Sequence, residues 1–193
     1  MIALVIGLTL FLGVHSISIV APRWRDSMFS KLGEPVWKGV YSIIAIAGLV
    51  LIIWVYSDAR ATAHVIYQPP YWTRWLAAAL MLPVFPLLLA PYFPRRIKAK
   101  LKHPMIIAVK SWALAHLLVN GTLADVLLFG GFLLWAIVDH VSLKRRPERP
   151  IRALAPRSMN DVIAIVLGLL IYMALLHGLH LRLIGVSPLP IVG

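Results

Sequence analysis

Apolar residues run along this chain in six blocks, at about residues 2–21, 37–57, 73–93, 104–119, 122–141 and 160–181. Short stretches rich in arginine, lysine and proline separate them. A helix that crosses a bilayer needs roughly 20 consecutive apolar residues, and all but the fourth block come close to that length. The pattern predicts an all-α fold, a polytopic membrane helix bundle of about six transmembrane helices in one domain spanning residues 1–193. Only Asn120 and Gly121 divide the fourth and fifth blocks, a tight-turn pair that predicts a helical hairpin. Pro83, Pro86, Pro91 and Pro94 are expected to kink or end the third helix, because each ring removes a backbone donor. The opening MIALVIGLTLFLGVHS has no basic leader and no small-residue cleavage site, so it reads as an uncleaved first helix.

The loops then give the bundle a direction. Arg23, Arg25, Lys31 and Lys38 lie between the first two blocks, and Arg95, Arg96, Lys98, Lys100 and Lys102 between the third and fourth. Lys144, Arg145, Arg146, Arg149, Arg152 and Arg157 lie between the fifth and sixth. The other side carries only Arg60, Arg74 and Arg182. The excess of basic residues predicts that these loops are cytoplasmic and that both termini are periplasmic, as in a multi-pass protein of a bacterial inner membrane. Composition agrees: 61% of residues are hydrophobic and only 13% charged, against about a quarter charged in soluble domains. In that setting a net charge of +12 implies membrane lipids rather than nucleic acid as the partner. Trp24, Met28 and Leu32, at i, i+4 and i+8 among charged residues, predict a short helix lying in the interface. YQPPYWTRW supplies an aromatic belt on the opposite side.

A charge at the bilayer centre costs roughly 2.5–3.5 kcal/mol on insertion scales, so intramembrane polar residues mark candidate sites. Cysteine is absent, which excludes disulfides, thiolate metal ligands and cysteine nucleophiles. Seven histidines remain, and His15 and His116 lie well within apolar blocks. Helical phase puts Trp112, His116 and Asn120 on one face of the fourth helix, and His103 and Lys110 on another. Asp125, Phe132 and Asp139 align on the fifth, with one carboxylate near each surface. Asn120, Asp125, His177 and His180 could then form one polar layer, with His177 and His180 facing the interior, and His103, Asp139 and His140 another. Lys110 is expected to snorkel or to meet an aspartate, and His140 to sit at the surface. Two imidazoles on different helices can grip a haem, whereas zinc-type HExxH spacing is absent. Interhelical hydrogen bonding explains the same histidines without a cofactor.

The segment KHPMIIAVKSWALAHLLVNGTLADVLLFGGFLLWAIVDHVSLKRR resembles the signature region of the NnrU family, and GVHSISIVAPRWRDSMFSKLGEPVWKGVYSIIAIAGLVLI resembles its N-terminal half. The family consists of bacterial inner-membrane proteins linked to denitrification, and it is related to 15-cis-zeta-carotene isomerase, a membrane haem-b enzyme. The resemblance implies haem b as cofactor, with His15 of the HS motif and His116 of the AH motif as iron ligands. His103 is the HP histidine thirteen residues earlier, and Lys110, Trp112 and Asn120 stand nearby as further cofactor-binding candidates. It also implies an apolar polyene substrate for a haem-dependent cis-trans isomerase, or a haem or nitric-oxide role in denitrification. At about 1.5 Å per residue, His15 lies roughly 9 Å from the basic end of its helix and His116 about 18 Å. One porphyrin held by both must therefore tilt, or the fourth helix must begin deeper. Two other classes compete: a non-catalytic membrane assembly factor, and a membrane methyltransferase using S-adenosylmethionine. The latter rests on KHPM, which is similar to the RHPMY segment of such enzymes, although the chain holds only two glutamates, Glu34 and Glu148.

Overall fold

The computed structural model describes residues 1–147, 149 and 151–188. Glu148, Pro150 and the last five positions of the domain expected over 1–193 lie outside the described residues. Nine helical stretches order the described chain: α1 (Ile2–Val20), α2 (Pro22–Leu32), α3 (Glu34–Ala61), α4 (Thr73–Met81), α5 (Val84–Leu89), α6 (Arg96–Leu101) and α7 (Pro104–Leu117). Two long helices follow, α8 (Leu123–Leu143) and α9 (Asn160–Ile184). Four of them, α1, α3, α8 and α9, are long and apolar enough to cross a membrane.

The other two expected spans are shorter. Thr73–Leu89 breaks between α4 and α5 at Leu82 and Pro83, as the prolines there require. α7 has 14 residues, about 21 Å of helix, against a hydrocarbon core of about 30 Å. It starts at Pro104, where proline is tolerated because the first-turn N–H has no helical partner. Residues Leu118–Thr122 turn the chain into α8, so the hairpin expected at Asn120–Gly121 is present.

Packing is closest between α1 and α3. A Cβ on Gly48 would stand 2.7 Å from the Phe11 amide nitrogen and 3.0 Å from the Gly7 carbonyl oxygen. With lipid outside as apolar as the interior, such small-residue contact supplies the dispersion energy that joins two helices. Leu4, Leu8, Ile52, Ala59, Ala124, Leu128 and Phe129 form the core where α1, α3 and α8 meet. α7 bridges this half to α4 and α5, and α5 in turn packs on α9.

The basic ends of the helices are tied by polar contacts. The Asp161 carboxylate accepts from the backbone N–H of Arg96 and Ile97, both at 3.2 Å, at the first turn of α6. The Asn160 side chain donates to the carbonyls of Pro94 (3.2 Å) and Ala155 (3.0 Å). Asp26 of α2 receives Arg25 at 2.9 Å and Arg149 at 3.1 Å. The hydrogen bond from Arg25 is the main reason that its carboxyl is held below the usual range. Trp24 and Leu32 remain exposed along α2, as an interfacial helix requires.

The α1–α3 contact gives the first test. Gly48→Ala is expected to cost about 1–3 kcal/mol through overpacking against backbone, read as a lower unfolding midpoint in detergent. An unchanged midpoint would show that these helices can separate freely.

Candidate functional site

Two polar layers lie at opposite ends of the bundle, joined by aromatic rings. At the end remote from the basic loops, the fully buried Asp125 ends the first turn of α8. One carboxylate oxygen accepts from Tyr56 Oη at 2.5 Å and Arg60 Nε at 3.2 Å. The other accepts from the Thr122 backbone N–H and hydroxyl, both at 2.8 Å, closing a capping box at the helix start. Arg60 also reaches Asn120 Oδ1 at 3.3 Å, and Asn120 Nδ2 donates to the His116 carbonyl at 3.0 Å.

The segment after α3 clamps onto the same turn. Ile66 and Tyr67 donate their amides to the Gly121 carbonyl at 2.7 and 3.1 Å, and Leu123 donates to that of His64 at 2.8 Å. Tyr67 Oη donates to the carbonyls of Leu117 and Asn120. Burial, and then the charge of Asp125, push the Tyr67 phenol up. A Cβ at Gly121 would meet the Tyr67 carbonyl oxygen at 1.9 Å, so only glycine fits.

At the basic end Asp139, 4% exposed, receives Arg146 Nη2 at 2.6 Å. Lys110, expected to snorkel or to meet an aspartate, meets His140, with Nζ 2.7 Å from Nδ1. The His103 ring lies 6.1 Å from that of His140. His103 and Lys110 thus converge on one histidine, His140, which keeps part of its surface exposed at the basic end, as expected of it. The layer expected of His103, Asp139 and His140 is therefore present, and Lys110 of α7 joins it.

Between the layers stand His15 and His116. Nδ1 of His15 lies 2.6 Å from the Phe11 carbonyl, and Nδ1 of His116 lies 2.8 Å from that of Trp112. A carbonyl only accepts, so each Nδ1 carries the proton and each Nε2 keeps its lone pair when the ring is neutral. His15 is ringed by Phe11, Tyr41 and Trp135, with centroids 4.3, 5.3 and 5.8 Å away. His116 stacks on Phe129 at 4.5 Å and lies 5.2 Å from Trp112. Phe132 connects the two groups, 5.4 Å from Phe11 and 5.2 Å from Trp112. The shared face read for Trp112, His116 and Asn120 is therefore realised.

The last helix departs from expectation. Non-helical angles at His177 and Gly178 (φ 133) kink α9 and leave His177 exposed. Its Nδ1 meets the Met173 carbonyl at 2.9 Å, and Nδ1 of His180 meets that of Val186 at 2.7 Å. The kink separates the i, i+3 pair expected to share an inward face: His177 turns outward, whereas His180 stays half-buried. Arg60 and Tyr56 are the site residues that the sequence did not single out. Their signal was the YSDAR segment ending the second block, where an arginine next to lipid needs an acidic partner.

Asp125→Ala is expected to cost about 3–5 kcal/mol, since it leaves Arg60 and the α8 turn without their acceptor. Tyr56→Phe removes one donor only and should cost about 1–2 kcal/mol. Unfolding midpoints in detergent rank the two, and equal values would contradict the network.

Comparison with curated proteins and with solved structures yields no match. The family model described as NnrU protein matches residues 3–188, nearly the whole chain. That match spans both polar layers and the histidine motifs between them, and the chain belongs to the NnrU family.

Proposed function

We propose that this protein is a haem-b-binding integral membrane protein, in which His15 and His116 would supply the imidazoles that hold the iron. The observation that carries the reading is that Nδ1 of each ring lies against a backbone carbonyl, which leaves Nε2 as the available donor atom. Metal-ligating histidines are usually oriented by such a bond at the other ring nitrogen. The donor set fits a porphyrin better than a bare ion. Among the described residues no three His, Asp or Glu side chains gather as a metal-binding group, and haem iron needs only one or two protein ligands. Trp135 adds a second sign, because its indole Nε1–H beside His15 is buried with no acceptor among the described residues. A polar group bound there would satisfy it.

The chain's own residues would hold and shield the cofactor. The Trp112 carbonyl and the Asn120 amide bracket His116, and Phe11, Phe129 and Phe132 keep water from both imidazoles. His103 and Lys110, which face His140, are second candidates nearer the basic end. Haem b supplies a redox-active, Lewis-acidic iron, suited to isomerising an apolar polyene or to handling nitric oxide in denitrification. The excess of basic residues in three loops supports a bacterial inner membrane as its site, with those loops in the cytoplasm and both termini outside.

The alternative, a non-catalytic assembly factor, is favoured by the Phe11–Phe132–Trp112 chain of rings. As they stand, these rings pack both imidazoles into helix interfaces, and they would have to turn aside for one porphyrin to be gripped from both faces.

The absorption spectrum of the purified protein separates the two readings. Haem binding predicts a Soret band, with His15→Ala and His116→Ala each losing most of it while remaining folded. A colourless, fully folded protein after haem supplementation would support the assembly factor. For orientation, alkaline phosphatase fused after residue 188 should be active and the same enzyme fused after Lys144 inactive; the reverse pattern would invert the topology.

A further inference from the structure

A cleft of about 370 Å³ opens at the basic end, between the last turns of α1 and α8. Ile19 of α1 and Val138 and Val141 of α8 give it apolar walls. Ser18 and Ser142 add hydroxyls, and Arg145 and Arg146 bring two guanidinium groups. Arg146 is only half engaged. Its Nη2 donates to Asp139, whereas Nη1 is buried with no acceptor among the described residues. A buried charged donor without an acceptor is costly, and native structures rarely leave one unfilled. Two cations against one buried carboxylate also leave the cleft positive.

A second cleft, of about 230 Å³ on the other side of α1, makes the contrast. Its cations are Arg25 and Lys38, and both already have acidic partners, Asp26 at 2.9 Å and Glu34 at 2.5 Å. The α1–α8 cleft is the one whose arginines call for an anion. It also continues into an apolar track. Leu134, Ile137, Val138 and Val141, at i, i+3, i+4 and i+7, are all exposed on one face of α8 and lead to the cleft.

We propose that the α1–α8 cleft binds one anionic glycerophospholipid. Its phosphate oxygens accept from Arg146 Nη1 and Arg145, the serine hydroxyls supplement them, and an acyl chain lies along the α8 track. Charge selects the headgroup, because each arginine near an anionic lipid surface favours it by a measurable amount. The apolar walls select a lipid over a free anion, which would leave Val138 and Val141 uncovered. This assignment is independent of the haem reading.

The test uses the full chain purified in detergent and titrated with phosphatidylglycerol, phosphatidylcholine of identical chains, or inorganic phosphate, with bound lipid read by native mass spectrometry. One phosphatidylglycerol should be retained per chain, at least about tenfold more tightly than phosphatidylcholine, given two arginines. Arg145→Gln should weaken it about fivefold. Arg146→Lys keeps a cation for Asp139 but loses the second donor, and should weaken it as well. Val141→Trp, at an exposed wall position that the fold tolerates, should abolish it, with circular dichroism confirming the helical content. Equal binding of phosphatidylcholine, full competition by millimolar inorganic phosphate, or undiminished binding by Val141→Trp would each overturn the proposal.

Discussion

The bundle depends on one buried carboxylate. Asp125, with no exposed surface, takes hydrogen bonds from Tyr56, Arg60 and Thr122. An unpaired charge there would be prohibitive, so the acid is stable only when α3 and the α7–α8 turn are in register. The same four bonds therefore fix the rotation of α3, the start of α8 and, through Asn120, the end of α7. Van der Waals packing between apolar helices distinguishes poorly among rotations, and a network with one satisfied arrangement removes that degeneracy.

The two ends of the molecule do different work. At the Asp125 end, the clamp of Ile66, Tyr67 and Leu123 on the turn closes the backbone groups that a short α7 leaves open. At the basic end, ion pairs tie loops together but leave clefts, with Arg146 incompletely bonded. A closed end and an open, cationic end suit a bundle that is held rigid on one side and addressed from the other. His15 and His116 lie between them, nearer to opposite ends. Each imidazole is oriented by a hydrogen bond to its own helix.

Much of the architecture was legible in the sequence because it depends on local composition. The apolar blocks gave the long helices, Pro83 gave the break between α4 and α5, and Asn120–Gly121 gave the hairpin. Helical phase also placed Trp112 beside His116, since residues four apart on one helix meet whatever the rest of the fold does. Phase failed where a helix is irregular: the kink at Gly178 turned His177 outward. It also stopped at the helix boundary, where His140 as the partner of Lys110 lay beyond its reach.

The sequence by itself determined the order of the apolar helical segments, the basic end and the family motif. Each follows from the chemistry of neighbouring residues, with no need to know what lies across the interface. Tertiary structure alone decided which intramembrane polar side chains meet across helices. Arg60 and Asp125 are 65 residues apart, and their meeting depends on the depth and rotation of two helices. α7, between them in sequence, is apolar on nearly every side, so its own periodicity cannot set its rotation either. The few polar side chains set it, through the partners that only the assembled bundle offers.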